Sequence, residues 1–267
     1  MNKKLKEQQE ESVAPVIEKK KTALIKVLPS TVTLTAFCFG LTSIRFALFD
    51  RWEYAVMCIF ASALLDAFDG KVARLLGQSS QFGAQLDSLS DLVCFGVAPA
   101  MVLFLKSMHS IEKVGWGVCM FFTVCCAIRL ARFNTMQLIE DGEKPAWMKK
   151  YFTGVPAPAG AILALFPMIL FFETGKECFL NPIFDAIFLI ASGILMISTL
   201  KTFSSKMIEI KNGIFSLELL CISLIVILLI TELWLTLSIM ILAYIISLPY
   251  GAKAYAKAEK EYSENKE

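Results

Sequence analysis

The sequence predicts an all-α polytopic membrane protein with about eight transmembrane helices. Hydrophobic residues make up 56% of the 267-residue chain, and the mean hydropathy is +0.62. Charged residues make up only 19%, and many of them crowd into the two ends and a few short connections. A soluble domain of this length carries less apolar sequence and more charge, so a membrane environment explains the composition better.

Eight apolar segments approach the length of about 20 residues that a helix needs to cross a bilayer. The last two are nearly continuous, and a tight turn is expected between them near Glu232. The predicted spans are approximately 30–49, 53–73, 86–106, 114–133, 154–172, 182–200, 213–231 and 233–250.

Lysine and arginine collect on one side of these predicted spans. Of the 26 such residues in the chain, those expected on the opposite side are Arg45, Arg51, Lys106, Lys113 and Lys176. Because basic residues favour the cytoplasmic ends of spans, both termini are predicted to be cytoplasmic. Residues 13–27 alternate lysines with spaced apolar positions, which indicates either a short helix on an anionic membrane surface or a solvated basic tail.

Cysteine and histidine usage excludes several kinds of catalysis. None of the eight cysteines forms a C-x-x-C pair, and most lie in apolar segments, where cysteine behaves as a small hydrophobic residue. His109 is the one histidine of the sequence and falls in a short polar connection. A Ser-His-Asp or Cys-His mechanism is therefore not expected.

The stretch LLDAFDGKVARLLGQSSQFGAQLDSLSDL, residues 64–92, places four aspartates at the ends of the second and third predicted spans. Asp66 and Asp69 share one helical face, and Asp87 and Asp91 share a face of the next helix. The connection between the two helices is short and polar, so they are expected to be adjacent and antiparallel. Both carboxylate faces can then converge.

Four carboxylates at the edge of a bilayer repel one another unless a cation neutralises them. Carboxylate oxygens suit the hard ions Mg²⁺, Mn²⁺ or Ca²⁺ rather than zinc, and four of them can bridge two ions. Gly70 and Gly83 remove side chains where a ligand can approach the backbone. From the residues alone, aspartates that merely mark span ends, and a pathway for ion transport, remain alternative interpretations.

The full pattern from Asp66 to Asp91 is D-x2-D-G-x2-A-R-x8-G-x3-D-x3-D. It resembles the signature of the CDP-alcohol phosphatidyltransferase family, and every fixed position matches. The resemblance covers about residues 29–210 and implies a six-helix catalytic core. The last two predicted spans lie beyond this core.

The resemblance implies that an alcohol displaces CMP from a CDP-linked lipid at a divalent-metal site. It makes Asp66, Asp69 and Asp87 metal ligands for Mn²⁺ or Mg²⁺, with two ions expected. It makes Asp91 both a further ligand and the general base that accepts the proton of the acceptor hydroxyl. The residues that it assigns to the CDP-lipid are Thr33, Asp66, Asp69, Gly70, Ala73, Arg74 and Gly83.

Four further stretches resemble the bacterial phosphatidylserine synthases of this family, which implies L-serine as the acceptor. In LPSTVTLTAFCFG (28–40), Pro29 and Thr33 match the usual Pro-Asn-x-x-Thr pattern, and Ser30 replaces its asparagine. The others are AIRLARFN (127–134), FTGVPAPAGA (152–161) and LMISTLKTFSSK (195–206), the last with Phe203 in place of the usual proline.

Arg129, Arg132 and Asn134 are the residues assigned to serine binding. The two arginines lie three positions apart on one helical face, where a cation suits the carboxylate of serine. Charge alone leaves other interpretations open, because basic residues also anchor span ends and suit a phosphorylated acceptor. Glycerol 3-phosphate, inositol phosphate and choline therefore remain alternative acceptors, and a divalent-cation transporter remains an alternative from another class.

The predicted organisation has four parts. Residues 1–28 form a cytoplasmic tail with an interfacial helix, and 29–210 form the phosphatidyltransferase core. Residues 211–250 form two additional transmembrane helices, and 251–267 form a charged cytoplasmic tail. The resemblance implies a bacterial inner-membrane protein with a cytoplasm-facing active site, a homodimer, and contacts with CDP-diacylglycerol, L-serine and membrane lipids. No nucleic-acid partner is expected.

Overall fold

The computed structural model describes residues 30–75, 81–139, 151–203 and 215–264. Helices occupy the places of all eight predicted spans. They are α1 (Ser30–Leu48), α2 (Trp52–Leu75), α3 (Gln81–Asp91), α4 (Ala98–Lys106), α5 (Glu112–Ile139), α6 (Ala157–Ala164), α7 (Phe166–Thr174), α8 (Pro182–Ile197), α9 (Phe215–Thr231) and α10 (Leu233–Glu264). This confirms an all-α polytopic membrane architecture.

Four helices of the described part are long and apolar enough to cross a membrane: Ser30–Leu48, Gln81–Lys106, Met108–Met136 and Leu233–Ala256. The count becomes five if α6 and α7 together form one bent span. Helix α8 is apolar but has only 16 residues. The total of eight membrane crossings therefore stays a prediction.

The third predicted span is not a single regular α-helix. Residues Leu92–Val97 form a π-helical turn between α3 and α4, and the Ala98 N–H donates to the Val93 carbonyl five residues back. Pro99 follows this wider turn, and it has no N–H to continue the α-helical pattern. Asp91 is the last residue before the turn.

The fifth predicted span, 154–172, contains two helices, which together can form one bent span. The chain runs as a short strand, a loop and then two helices, α6 and α7, which meet at an angle of 47°. Pro167 stands at the start of α7, where its missing N–H and its ring prevent α6 from continuing. Pro156 and Pro158 lie instead at the beginning of α6.

Two strands, β1 (Tyr151–Thr153) and β2 (Lys201–Phe203), pair antiparallel outside the helices. The sixth predicted span, 182–200, ends early at Ile197 because its last residues lead into β2. Phe203 pairs with Tyr151 in this ribbon. The ribbon joins the segment before α6 to the segment after α8.

A single buried cluster unites the central helices and α10. Phe95, Leu103, Phe122 and Leu189 are fully buried in it. Close approach of α1 to the third span depends on Gly40, since a Cβ atom there would lie 2.5 Å from the Cys94 Sγ. The turn expected near Glu232 is confirmed, because α9 ends at Thr231 and α10 begins at Leu233.

Candidate active site and metal centre

Three of the four predicted metal-binding aspartates come together in the structure. Helix α2 contributes Asp66, and α3 contributes Asp87 and Asp91. One carboxylate oxygen from each residue lies within 4.8 Å of the other two. All three side chains are half-buried.

This spacing fits a divalent ion bound by hard oxygen ligands. Bonds from Mg²⁺ or Ca²⁺ to oxygen measure about 2.0–2.6 Å, so ligands on opposite sides of an ion lie about 4–5 Å apart. The three oxygens all lie within 4.8 Å of one another, which is compatible with a shared ion. No histidine or cysteine takes part in this group, which favours Mg²⁺ or Mn²⁺ over softer metals.

The remaining residues of the aspartate motif on α2 lie outside the described side chains. The structure gives the helical backbone of 69–75, but the side chains of Asp69, Ala73 and Arg74 are not described. Gly70 lies in the same stretch. Their assignments to metal and CDP-lipid stay predictions.

Two serines, which sequence reasoning missed, hold the aspartate helix to its neighbours. The Ser90 hydroxyl donates to the Thr33 carbonyl on α1 over 3.4 Å, so Thr33 lies next to the residue that precedes Asp91. The Asn134 amide on α5 donates to the Ser88 hydroxyl over 2.8 Å. The signal was present in the sequence DSLSD, where both serines lie between the two aspartates.

Two further predicted site residues, Gly83 of α3 and Asn134 of α5, lie close to the serines and aspartates of α3. Gly83 is half-buried one turn before Asp87, consistent with its predicted position on the carboxylate face. Asn134 was assigned to serine binding, and the structure places its amide beside α3. Their predicted ligand contacts stay predictions.

Arg129 of α5 interacts electrostatically with one member of the carboxylate cluster. Its guanidinium is within electrostatic range of Asp91 and of Tyr244 on α10. Its Nε atom is buried, and no residue of the described part hydrogen-bonds to it. A cation in this position suits a negatively charged group of a substrate bound beside Asp91.

Arg132 instead joins two segments of main chain through three carbonyl groups. Its Nη1 donates to the Ile197 carbonyl over 3.1 Å, and its Nη2 donates to the Ser198 and Thr153 carbonyls over 3.1 and 3.5 Å. The guanidinium therefore caps the end of α8 and ties it to β1. The predicted contact of Arg132 with serine stays a prediction, beside this structural role.

Gly154 is part of the same junction. Its φ of +78° is unfavourable for other residues, and a Cβ atom would lie 2.6 Å from the Met196 carbonyl oxygen. Its N–H donates to the Leu200 carbonyl over 2.8 Å. The backbone conformation therefore requires glycine at position 154, in addition to its place in the FTGVPAPAGA motif.

Replacing Arg132 with glutamine is expected to destabilise the protein by about 3 kcal/mol, because carbonyls at the end of α8 lose a charged donor. Thermal unfolding in detergent measures the effect as a melting temperature lowered by several degrees. The matched control is Arg45→Gln, since Arg45 is exposed near the C-terminal end of α1. An unchanged melting temperature with an increased KM for serine would instead favour a substrate contact.

Comparison with known proteins identifies the family. The family model described as CDP-alcohol phosphatidyltransferase matches residues 26–200, which include α1 to α8 and the aspartate cluster. The chain belongs to the CDP-alcohol phosphatidyltransferase family. Enzymes of this family depend on divalent metal, and the cluster of Asp66, Asp87 and Asp91 supplies suitable ligands.

Relatives of this chain carry the name CDP-diacylglycerol–serine O-phosphatidyltransferase. A Mycobacterium leprae protein is 43% identical over 174 residues, which cover 65% of this chain and 57% of that protein. A Bacillus subtilis protein is 35% identical over 175 residues, covering 65% of this chain and 88% of that protein. A Helicobacter pylori protein is 32% identical over 202 residues, covering 74% and 81% respectively. The chain thus spans less than two thirds of the mycobacterial relatives that it matches.

Proposed function

We propose that this protein transfers the phosphatidyl group of CDP-diacylglycerol to the hydroxyl of L-serine, giving phosphatidylserine and CMP. The observation that carries the proposal is the convergence of Asp66, Asp87 and Asp91 from two helices within the family match. The names of the relatives support serine as the acceptor.

Asp66, Asp69, Asp87 and Asp91 hold the metal in this proposal, with Mn²⁺ or Mg²⁺ as the ion and two ions per site. When bound, the divalent ions neutralise the diphosphate and stabilise the charge that develops during transfer. The group of three oxygens within 4.8 Å supports a shared ion. The same carboxylates carry negative charge at the membrane edge, and a bound cation neutralises it.

Asp91 acts as the general base. Its carboxylate accepts the proton of the serine hydroxyl as the serine oxygen forms a bond to the phosphorus that carries the diacylglycerol. The bond from that phosphorus to the bridging oxygen breaks, and CMP leaves with the electron pair. The proton then passes from Asp91 to water. The half-buried position of Asp91 in the cluster supports this role.

The two substrates bind to different parts of the proposed site. Thr33, Gly70, Ala73, Arg74 and Gly83 line the pocket for the CDP-lipid, and the small residues let the nucleotide approach the helices. Arg129, Arg132 and Asn134 receive the serine, and Arg132 also holds the junction between α8 and β1. The position of Thr33 next to Ser90 supports the nucleotide side, and Arg129 within range of Asp91 supports the acceptor side.

The distribution of basic residues supports an inner-membrane location with the active site facing the cytoplasm. CMP and serine are water-soluble, so a site at the cytoplasmic ends of α2 and α3 exchanges them directly with the cytoplasm. The protein is expected to act as a homodimer. Size-exclusion chromatography with light scattering in detergent tests that expectation.

An acceptor panel tests the proposed function. The purified protein in detergent receives CDP-diacylglycerol and Mn²⁺ or Mg²⁺, with serine, glycerol 3-phosphate, inositol phosphate or choline supplied separately. CMP release is measured, and mass spectrometry identifies the lipid product. Phosphatidylserine formed with serine alone is the expected result.

Other outcomes revise the proposal in different ways. CMP release with another acceptor would keep the transfer chemistry and overturn the serine assignment. No release with any acceptor, from protein that binds the CDP-lipid, would overturn the proposed reaction. Divalent-cation flux into protein-containing liposomes would then test the transport alternative.

A further inference from the structure

Helix α10 lies outside the residues that match the family, yet it belongs to the core of the protein. Leu237 and Ile241 are buried in the central cluster, with exposed fractions of 6% and 4%. Tyr244 and Leu248 continue the same helical face at spacings of three and four residues and pack against that cluster. One face of α10 therefore runs alongside the catalytic core.

The C-terminal part of this face also contacts the junction of β1, β2 and the end of α8. The Lys201 ammonium of β2 lies 5.1 Å from the centre of the Tyr255 ring and donates to the Thr153 hydroxyl over 2.8 Å. Helix α10 packs against β2 and α7 as well as against α9. These contacts hold α10 against the second half of the catalytic core.

Tyr244 brings a polar group from α10 to Arg129. The Tyr244 hydroxyl and the Arg129 Nε are both buried, and neither has a hydrogen-bond partner within the described residues. The two side chains are within electrostatic range of each other, and Arg129 is within range of Asp91. Arg129 therefore links the buried Tyr244 hydroxyl of α10 to Asp91, the residue that we assign as the general base.

Buried donors without partners need an explanation, because each costs about 1–3 kcal/mol when water is removed and nothing replaces it. A guanidinium and a phenol hydroxyl together make a suitable site for a carboxylate. In serine, the carboxylate is attached to the carbon next to the one that carries the hydroxyl. A serine whose hydroxyl meets Asp91 thus has its carboxylate close by.

We propose that Tyr244 of α10 binds the carboxylate of the amino-acid acceptor together with Arg129, so that the helix beyond the family core completes the acceptor site. The phenol O–H and the guanidinium Nε–H donate to the two carboxylate oxygens. This inference rests on the proposed function, since it assumes that serine is the acceptor. It gives α10 a role in specificity as well as in membrane anchoring.

The test compares Tyr244→Phe with wild type, using L-serine and L-serinamide as acceptors. The variant removes only the hydroxyl, and serinamide keeps the reacting hydroxyl and the amine but lacks the carboxylate. The variant should increase the KM for serine by about ten-fold or more and change kcat much less. Its reaction with serinamide should stay close to that of wild type, so the preference for serine over serinamide should fall by the same factor.

Tyr250→Phe is the matched control, because Tyr250 lies on the same helix and is 65% exposed. It should leave both KM values unchanged. Thermal unfolding without substrate adds a second measurement. Because the Tyr244 hydroxyl has no hydrogen-bond partner in the described part, its removal should leave the melting temperature unchanged or slightly higher.

The outcomes separate this inference from the proposed function. Unchanged serine kinetics in Tyr244→Phe, an equal loss with serine and serinamide, or a lowered melting temperature would overturn the role of Tyr244. Phosphatidylserine formation by the wild type would, in each case, leave the proposed function in place. A wild-type protein that makes no phosphatidylserine would overturn both.

Discussion

Asp91→Asn is expected to reduce phosphatidylserine formation by about three orders of magnitude, while the protein still folds and binds the CDP-lipid. Asparagine has nearly the shape of aspartate, so the α3 backbone and the neighbouring Ser90 contact with α1 should persist. It cannot accept the proton of the serine hydroxyl, and it is a weaker ligand for a divalent ion. Initial rates of CMP release at saturating serine measure the loss.

Asp50→Asn is the matched control for this variant. Asp50 is exposed just after the C-terminal end of α1. Its φ is 57°, a conformation that asparagine adopts as readily as aspartate. It should retain wild-type turnover. If Asp91→Asn retained substantial activity, the assignment of Asp91 as the base would be wrong, although the residue could still contribute to metal binding.

Removal of divalent metal is the second change expected to have a large effect. Treatment with EDTA should lower turnover by at least about a hundred-fold, because the charge on the diphosphate and on the aspartate cluster is no longer neutralised. Adding Mg²⁺ or Mn²⁺ back should restore the rate. Turnover is measured across a titration of each ion.

A variant of one ligand connects this metal dependence to the cluster. Asp87→Asn should increase the metal concentration needed for half-maximal activity by about ten-fold or more, since one charged ligand is lost. The exposed Asp50→Asn should titrate like wild type. Full activity of protein treated with EDTA, or an unchanged metal titration in Asp87→Asn, would contradict a metal site at these aspartates.

The sequence was sufficient to predict the places of the helical segments and the convergence of Asp66, Asp87 and Asp91. Apolar runs of the required length are a direct consequence of the bilayer, so their places were readable without tertiary contacts. The spacing of Asp87 and Asp91 by four residues places them on one face of any α-helix. The short connection before Gln81 then made an approach of α2 and α3 expected, and Asp66 does lie beside them.

Breaks within the helices were harder to anticipate. Pro99 and Pro167 were visible in apolar segments, but proline in a membrane helix produces a π-helical turn, a bend or a break depending on its neighbours. Here Pro99 accompanies a π-helical turn directly after Asp91, and Pro167 accompanies a 47° bend. The local sequence does not distinguish these outcomes, because packing of neighbouring helices selects between them.

Contacts between distant parts of the chain were not readable at all. Arg132 has a cationic side chain of the kind that binds substrate carboxylates. Its guanidinium nevertheless donates to carbonyls more than 60 residues away, at Ile197 and Ser198. Tyr244 lies in an ordinary apolar helix without any motif. Its proximity to Arg129 depends on how α10 packs against the core, which periodicity within one helix does not specify.

The ratio of phosphatidylserine formed to CMP released tests the central claim most directly. Purified protein receives CDP-diacylglycerol, L-serine and Mn²⁺, and both products are quantified in the same reaction. Transfer to serine predicts one phosphatidylserine for each CMP and very little CMP without serine. CMP released with phosphatidic acid in place of phosphatidylserine would show that water is the acceptor, and would contradict the account.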